Sequence, residues 1–154
     1  MDTDFKMLCS CAAVFALFCA ISVMLGSERE EHDTVRLNLD ALEHAKGLVR
    51  DGHVMADNHG AWRGHKVSTE KENEFIRGNG FKEYAKWHLG IDARHAEDSK
   101  ARYKFPYGDF KDIHRCAVLA VQSRAAEYRH YEIERAALEL KEMIEVKTGN
   151  QRKP

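Results

Sequence analysis

The sequence predicts an all-α protein, a small bundle of about four to five helices behind one N-terminal transmembrane helix. Three observations predict it. An uncharged apolar run opens the chain, apolar residues further on recur at spacings of three and four, and no segment shows the two-residue alternation of a half-buried strand.

Residues 7–26, MLCSCAAVFALFCAISVMLG, hold no charge and only two serines. At about 1.5 Å rise per residue, such a helix is long enough to cross about 30 Å of hydrocarbon. The competing reading is a cleaved secretory signal with Lys6 in its charged region, which would make the body secreted or periplasmic. Its cleavage site is poor: cutting after Ser27 or Gly26 leaves Leu25 or Met24 where a small residue is wanted. A lipoprotein signal at Cys19 fails in the same way, with Ala16 where leucine is usual. The expectation is an uncleaved anchor over 1–27, a single-pass membrane localisation and a connector over 28–37. Lys6 before the span and Arg29 and Arg36 after it are too evenly placed to orient it. Cys9 and Cys11 are acceptable palmitate sites but read more simply as small packing residues. Cys116 is the one cysteine of the body, which therefore has no internal disulfide.

With 154 residues, 44% hydrophobic and 32% charged, the chain describes one modest core rather than a disordered or multidomain protein. Its formal net charge of -1 excludes a global field that would draw nucleic acid.

The body reads as helices from 38 to 147, followed by a frayed tail over 148–154. Leu39, Leu42, Ala45, Leu48 and Val49 form an apolar stripe that stops at Gly52. Residues 53–67, with three histidines and no period, read as a loop pinned by Trp62. Thr69 and Glu72 have capping-box spacing for a helix running to Arg77, before Gly78 and Gly80. Phe81, Tyr84 and Trp87 sit three apart on a second short helix that ends at Gly90. Asp109 is the expected N-cap of the next helix, whose apolar side carries Ile113, Cys116, Ala117, Ala120 and Val121. Ile133, Ala136, Ala137, Leu140, Met143 and Ile144 mark the last helix. Alanines on both stripes let this pair approach closely.

The candidate chemistry is sparse. His53, His59 and His65 lie six apart, which is not a ligand spacing, and the body lacks paired cysteines, so no metal or cofactor is expected. On one continuous helix His114 and Cys116 lie about 200° apart, and Cys116 faces the core, so a catalytic Cys–His pair is not expected. His88 with Asp92 and His114 with Asp109 are the pairs an acid–base enzyme could use. The segment KARYKFPYGDFK (100–111) interleaves Lys100, Arg102 and Lys104 with Tyr103, Phe105, Tyr107 and Phe110, a pattern that suits a peptide or a single nucleic-acid strand, or simply rings plugging a core. Arg124 projects onto the apolar stripe, where a guanidinium must snorkel or meet a carboxylate. A structural ion pair with Asp109 or the final helix is the expectation.

The runs EYAKWHLGID (83–92), KARYKFPYGDF (100–110), HRCAVLAVQSRAA (114–126) and IERAALELKEMI (133–144) resemble a family of small uncharacterised bacterial proteins. Through Trp87, Lys100, Tyr103, Lys104, Pro106, Arg124 and Ala125, residues 45–145 are also similar to a helical region found alongside the prohead maturation proteases of tailed phages. No protease residues accompany that phage-related pattern, so the activity does not carry over, and the membrane span has no counterpart in it.

The functional expectation is a membrane-tethered helical domain without catalysis, docking an unknown protein or peptide through Trp87, His88, Lys100, Arg102, Tyr103, Lys104, Phe105, Tyr107 and Arg124. A small enzyme with His88 or His114 as base is the alternative. A nucleic-acid module built on 100–111 ranks third, and the neutral charge disfavours it.

Overall fold

The computed structural model describes residues 34–151, and these form a mixed α/β fold rather than the all-α bundle expected. In chain order the elements are β1 (Val35–Leu37), α1 (Leu39–Asp51), β2 (Val54–Met55), α2 (Trp62–His65), α3 (Thr69–Ala85) and β3 (His88–Asp92). A 3-10 turn (Lys100–Arg102), β4 (Tyr103–Pro106), β5 (Ile113–His114), α4 (Arg115–Glu127) and α5 (Tyr131–Gln151) complete them. β3 is the centre of an antiparallel sheet, paired with β1 on one side and β4 on the other. β2 and β5 form a second, two-residue parallel pair, Val54 opposite Ile113 and Met55 opposite His114.

The strands escape a search for periodicity because they are short. β3 (HLGID) is buried at four of its five positions, so it reads as a continuation of the aromatic helix before it instead of an alternating strand. β4 contains Pro106, which an edge strand tolerates because its missing N–H faces away from the ladder.

No helix among the described residues is long and apolar enough to cross a membrane, which corrects the single-pass membrane localisation. The 7–26 run and the 1–27 anchor behind that expectation lie outside the described residues.

The helix signals are legible in detail. Asn38 caps α1, its side chain accepting from the Ala41 N–H, and Gly52 closes it in the left-handed conformation with φ 87°. Ser68, one residue before the expected Thr69, caps α3. The predicted glycine stop is a break at Gly80 (φ 81°), and the second half of the helix ends at Ala85, short of Trp87. Asp109 caps a turn and not a helix: its Oδ1 accepts the Lys111 and Asp112 N–H groups at 3.0 and 2.8 Å. α4 therefore begins later, at Arg115, and α5 runs on to Gln151 through the start of the expected tail.

α4 and α5 pack along one another, with Ala117 and Ala137 fully buried between them. The core joins them to α1 and the sheet through Leu89, Tyr107, Ile113, Leu140 and Ile144, all fully buried.

Gly108 opens the turn from β4 into β5. A Cβ there would stand 2.5 Å from the Asp112 carbonyl oxygen and 2.7 Å from the Trp87 ring. Gly108→Ala must therefore shift backbone, and is expected to lower stability by about 1–3 kcal/mol in urea denaturation. An unchanged midpoint would mean that the turn has room to spare.

Candidate metal centre

The β2–β5 pair sets the segment after Met55 beside the start of α4. No side chain of α4's own N-cap residue, His114, satisfies the free amides of its first turn. Asp57 supplies the missing acceptor from a distance: its Oδ1 takes the Cys116 N–H at 2.7 Å. The other oxygen, Oδ2, meets His114 Nδ1 at 2.7 Å and His65 Nδ1 at 2.8 Å. Cys116 Sγ lies 3.6 Å from the same His65 nitrogen. One ligand atom each from Asp57, His65, His114 and Cys116 thus falls within 4.8 Å of every other. Asp57, His114 and Cys116 are largely enclosed, and His65, at the end of α2, is the exposed member.

The surroundings set the chemistry. Burial pushes the Asp57 carboxyl up, but hydrogen bonds from the Cys116 N–H, His114, the Cys116 thiol and His65 outweigh it and hold the group at about 2, so it is a carboxylate at neutral pH. Burial and the facing Asp57 push the Cys116 thiol up to about 12, despite its place in the first turn of a helix. The second nitrogen of His114, Nε2, is buried without a hydrogen-bond partner among the described residues and stands 3.5 Å from Asp109 Oδ2.

A nucleophilic Cys–His–Asp set needs the thiol and the carboxylate on opposite nitrogens of one imidazole, so that a proton can pass through the ring. Here Asp57 Oδ2 and Cys116 Sγ both face Nδ1 of His65. The arrangement converges on a point, as ligands do, rather than forming a relay.

No family model, curated protein or solved structure matches this chain. The function is read from the geometry.

Of the three evenly spaced histidines, His65 alone joins the centre. His53 meets Asp112 Oδ1 at 3.1 Å, and His59 is exposed. His114 and Asp109 are brought near one another as nominated, whereas His88 and Asp92 are not paired. Asp92 is gripped by Arg94 at 2.9 and 3.0 Å, and His88 donates from Nδ1 to the Tyr84 carbonyl at 3.0 Å.

The expected docking residues scatter. Trp87 and Tyr107 are core residues stacked on each other. Lys100 pairs with Glu72 at 3.0 Å, Arg102 donates to the His95 carbonyl at 2.7 Å and the Tyr103 hydroxyl to the Glu97 carbonyl at 2.6 Å. Lys104, Phe105 and Arg124 line one open cleft. The structural ion pair expected of Arg124 with Asp109 or the final helix is corrected: among the described residues it has none, and the side chain is exposed, its guanidinium 5.3 Å from the centre of the Tyr128 ring, because this part of the α4 stripe faces the cleft instead of another helix.

His88 yields a pH prediction. Burial holds its ring down to about 4, from 6.5 when free, because the charged form loses its hydration. Between these values the unfolded chain binds a proton that the folded chain refuses. The stabilising contribution is therefore complete above pH 6.5 and is lost as pH falls towards 4. Its size is roughly 3 kcal/mol. His88→Asn keeps a donor for the Tyr84 carbonyl and removes the titration, so its urea stability should fall less between pH 7 and 4.5 than that of the unsubstituted chain. Equal losses would contradict the assignment.

The centre is hidden in the sequence for one physical reason. The 200° separation of His114 and Cys116 holds on a continuous helix, but His114 is the last residue of β5 and the backbone turns into α4 between the two. The legible signal was His-x-Cys at 114–116 together with the acid and histidine at 57 and 65, three donor types in two short segments.

Proposed function

We propose that this chain is a metal-clamped binding domain, in which Asp57, His65, His114 and Cys116 hold one divalent ion of the zinc class. The observation that carries the reading is the convergence of four ligand atoms, of three chemical types, within 4.8 Å. One sulfur and two imidazole nitrogens favour zinc and its borderline neighbours over magnesium or calcium, which want oxygen. A tetrahedral zinc site has ligand–ligand edges of about 3.3–3.8 Å. The two shortest edges here, 2.7 and 2.8 Å from Asp57 Oδ2 to the imidazoles, need to open by roughly half an ångström to reach it.

His114 supports the same reading. With Nδ1 on a metal, the ring's proton sits on Nε2 and faces Asp109 Oδ2, the carboxylate–histidine–metal arrangement that orients ligating imidazoles. A buried nitrogen that otherwise lacks a hydrogen bond then has its acceptor. Four protein donors close the coordination sphere, as in structural zinc sites. The ion would bind the 57–65 segment to the β5–α4 junction, which the two-residue β2–β5 pair otherwise joins with few backbone bonds.

Competition of the full chain with a chromophoric chelator for Zn2+ tests this. One equivalent should bind, and Cys116→Ser and His65→Asn should each weaken binding by at least about 100-fold, since loss of an outer partner alone costs about 10–100-fold. His59→Asn should change nothing. No stoichiometric binding, or binding that survives Cys116→Ser, would overturn the proposal.

A further inference from the structure

A cleft of about 680 Å³ opens between β4 and α4, on residues the metal centre does not use. Its volume falls in the range of about 300–1,000 Å³ typical of small-molecule sites. Val35, Phe105, Val121 and Tyr128 give it apolar walls, and Ala120 leaves room where a larger side chain would fill it. Three cations, Lys66, Lys104 and Arg124, stand around it, and among the described residues neither Asp nor Glu lines it. Among the described residues none of these three forms an ion pair, although elsewhere on the fold Lys46, Lys86, Lys100 and Arg115 pair with carboxylates. Arg124 is held in place by the Tyr128 ring. At Phe105 the backbone has φ 60°, an unusual conformation for a bulky residue, and the ring packs edge-on against His130 at the cleft wall.

We infer that this cleft binds a small apolar molecule with one anionic head, a medium-chain carboxylate. The chain of such a molecule removes the apolar walls from water, and its head supplies the negative charge that the three cations lack. Two other occupants fit less well. A nucleic-acid strand needs free ring faces, but Tyr103 packs against Phe81 and Tyr84, and Phe110 stacks on Phe75 at 4.2 Å. A second copy of the chain would bring cations against cations. Trp62 and Lys66 of the lining belong to the segment that the metal would hold, whereas Lys104, Phe105, Ala120, Val121, Arg124 and Tyr128 stand on β4, on α4 and just after it, so the inference rests on these and not on the metal centre.

The test is calorimetric titration of the full chain with decanoate, decanol and decyltrimethylammonium, each kept below its micelle concentration. Decanoate should bind one to one and at least about tenfold more tightly than decanol, with no saturable binding of the ammonium. The Lys104→Gln/Arg124→Gln double variant, whose side chains carry no described ion pair, should melt like the unsubstituted chain and bind decanoate at least about tenfold more weakly. Ala120→Phe, which fills the cleft, should abolish binding. Absence of saturable binding, equal binding of all three probes, or binding that survives both the charge and the filling variants would overturn the inference, the last by placing the site elsewhere on the chain. Saturable binding of an acidic peptide in the absence of decanoate binding would overturn it as well.

Discussion

Saturating Zn2+ should raise the unfolding midpoint of this protein by about 10 °C, and Cys116→Ser should remove the gain. A ligand bound by the folded chain alone, at about a thousand times its dissociation constant, adds about 4 kcal/mol, and each kcal/mol moves the midpoint of a domain this size by a few degrees. The effect should be concentrated in one segment. Between His53 and Lys66 most side chains are exposed, and Val54, Asp57, Ala61 and Trp62 are the only ones that are even partly buried. With so few apolar contacts, the segment belongs to the easily opened end of the molecule unless something else holds it. Amide hydrogen exchange should therefore slow at residues 56–66 on adding Zn2+ and stay unchanged along α5. A uniform slowing, or no midpoint shift at millimolar Zn2+, would contradict the clamp.

Tyr107 carries the second large effect. It is fully buried, its hydroxyl donates to the Lys86 carbonyl at 2.6 Å, and it stands 2.8 Å from His44 Nδ1. Tyr107→Phe removes both of these part-buried contacts and should cost about 1–3 kcal/mol. Tyr107→Ala also opens a cavity against Trp87, at about 3–5 kcal/mol in all, enough to unfold a marginal domain. Circular dichroism melts of the two variants separate a core residue from a docking residue: a ring that served an interface would leave the melt unchanged on truncation.

The same residue shows how far the sequence could be read. The aromatic segment was legible as either a surface or a plug, and Tyr107 and Trp87 turn out to plug the core while Lys104 and Phe105 remain at a cleft. Helices with a cap, a stripe and a stop were legible, as in α1, where Asn38, the Leu42–Ala45–Val49 face and Gly52 agree. Strands were not, because two to five residues carry no period and β3 is buried on both faces. The metal centre was hidden by that same gap: its geometry depends on the parallel pairing of Val54 and Met55 with Ile113 and His114, a long-range contact that no local pattern encodes. Arg124 was singled out for lying on an apolar stripe, and that oddity was informative, although the stripe turned out to border a cavity.

X-ray absorption at the zinc edge of the loaded full chain reads the ligand set of the ion itself. The coordination shell should hold one sulfur at about 2.3 Å and three nitrogen or oxygen ligands at about 2.0–2.2 Å, with the sulfur lost in Cys116→Ser. A shell of oxygen alone, or a sulfur signal that persists in Cys116→Ser, would contradict it.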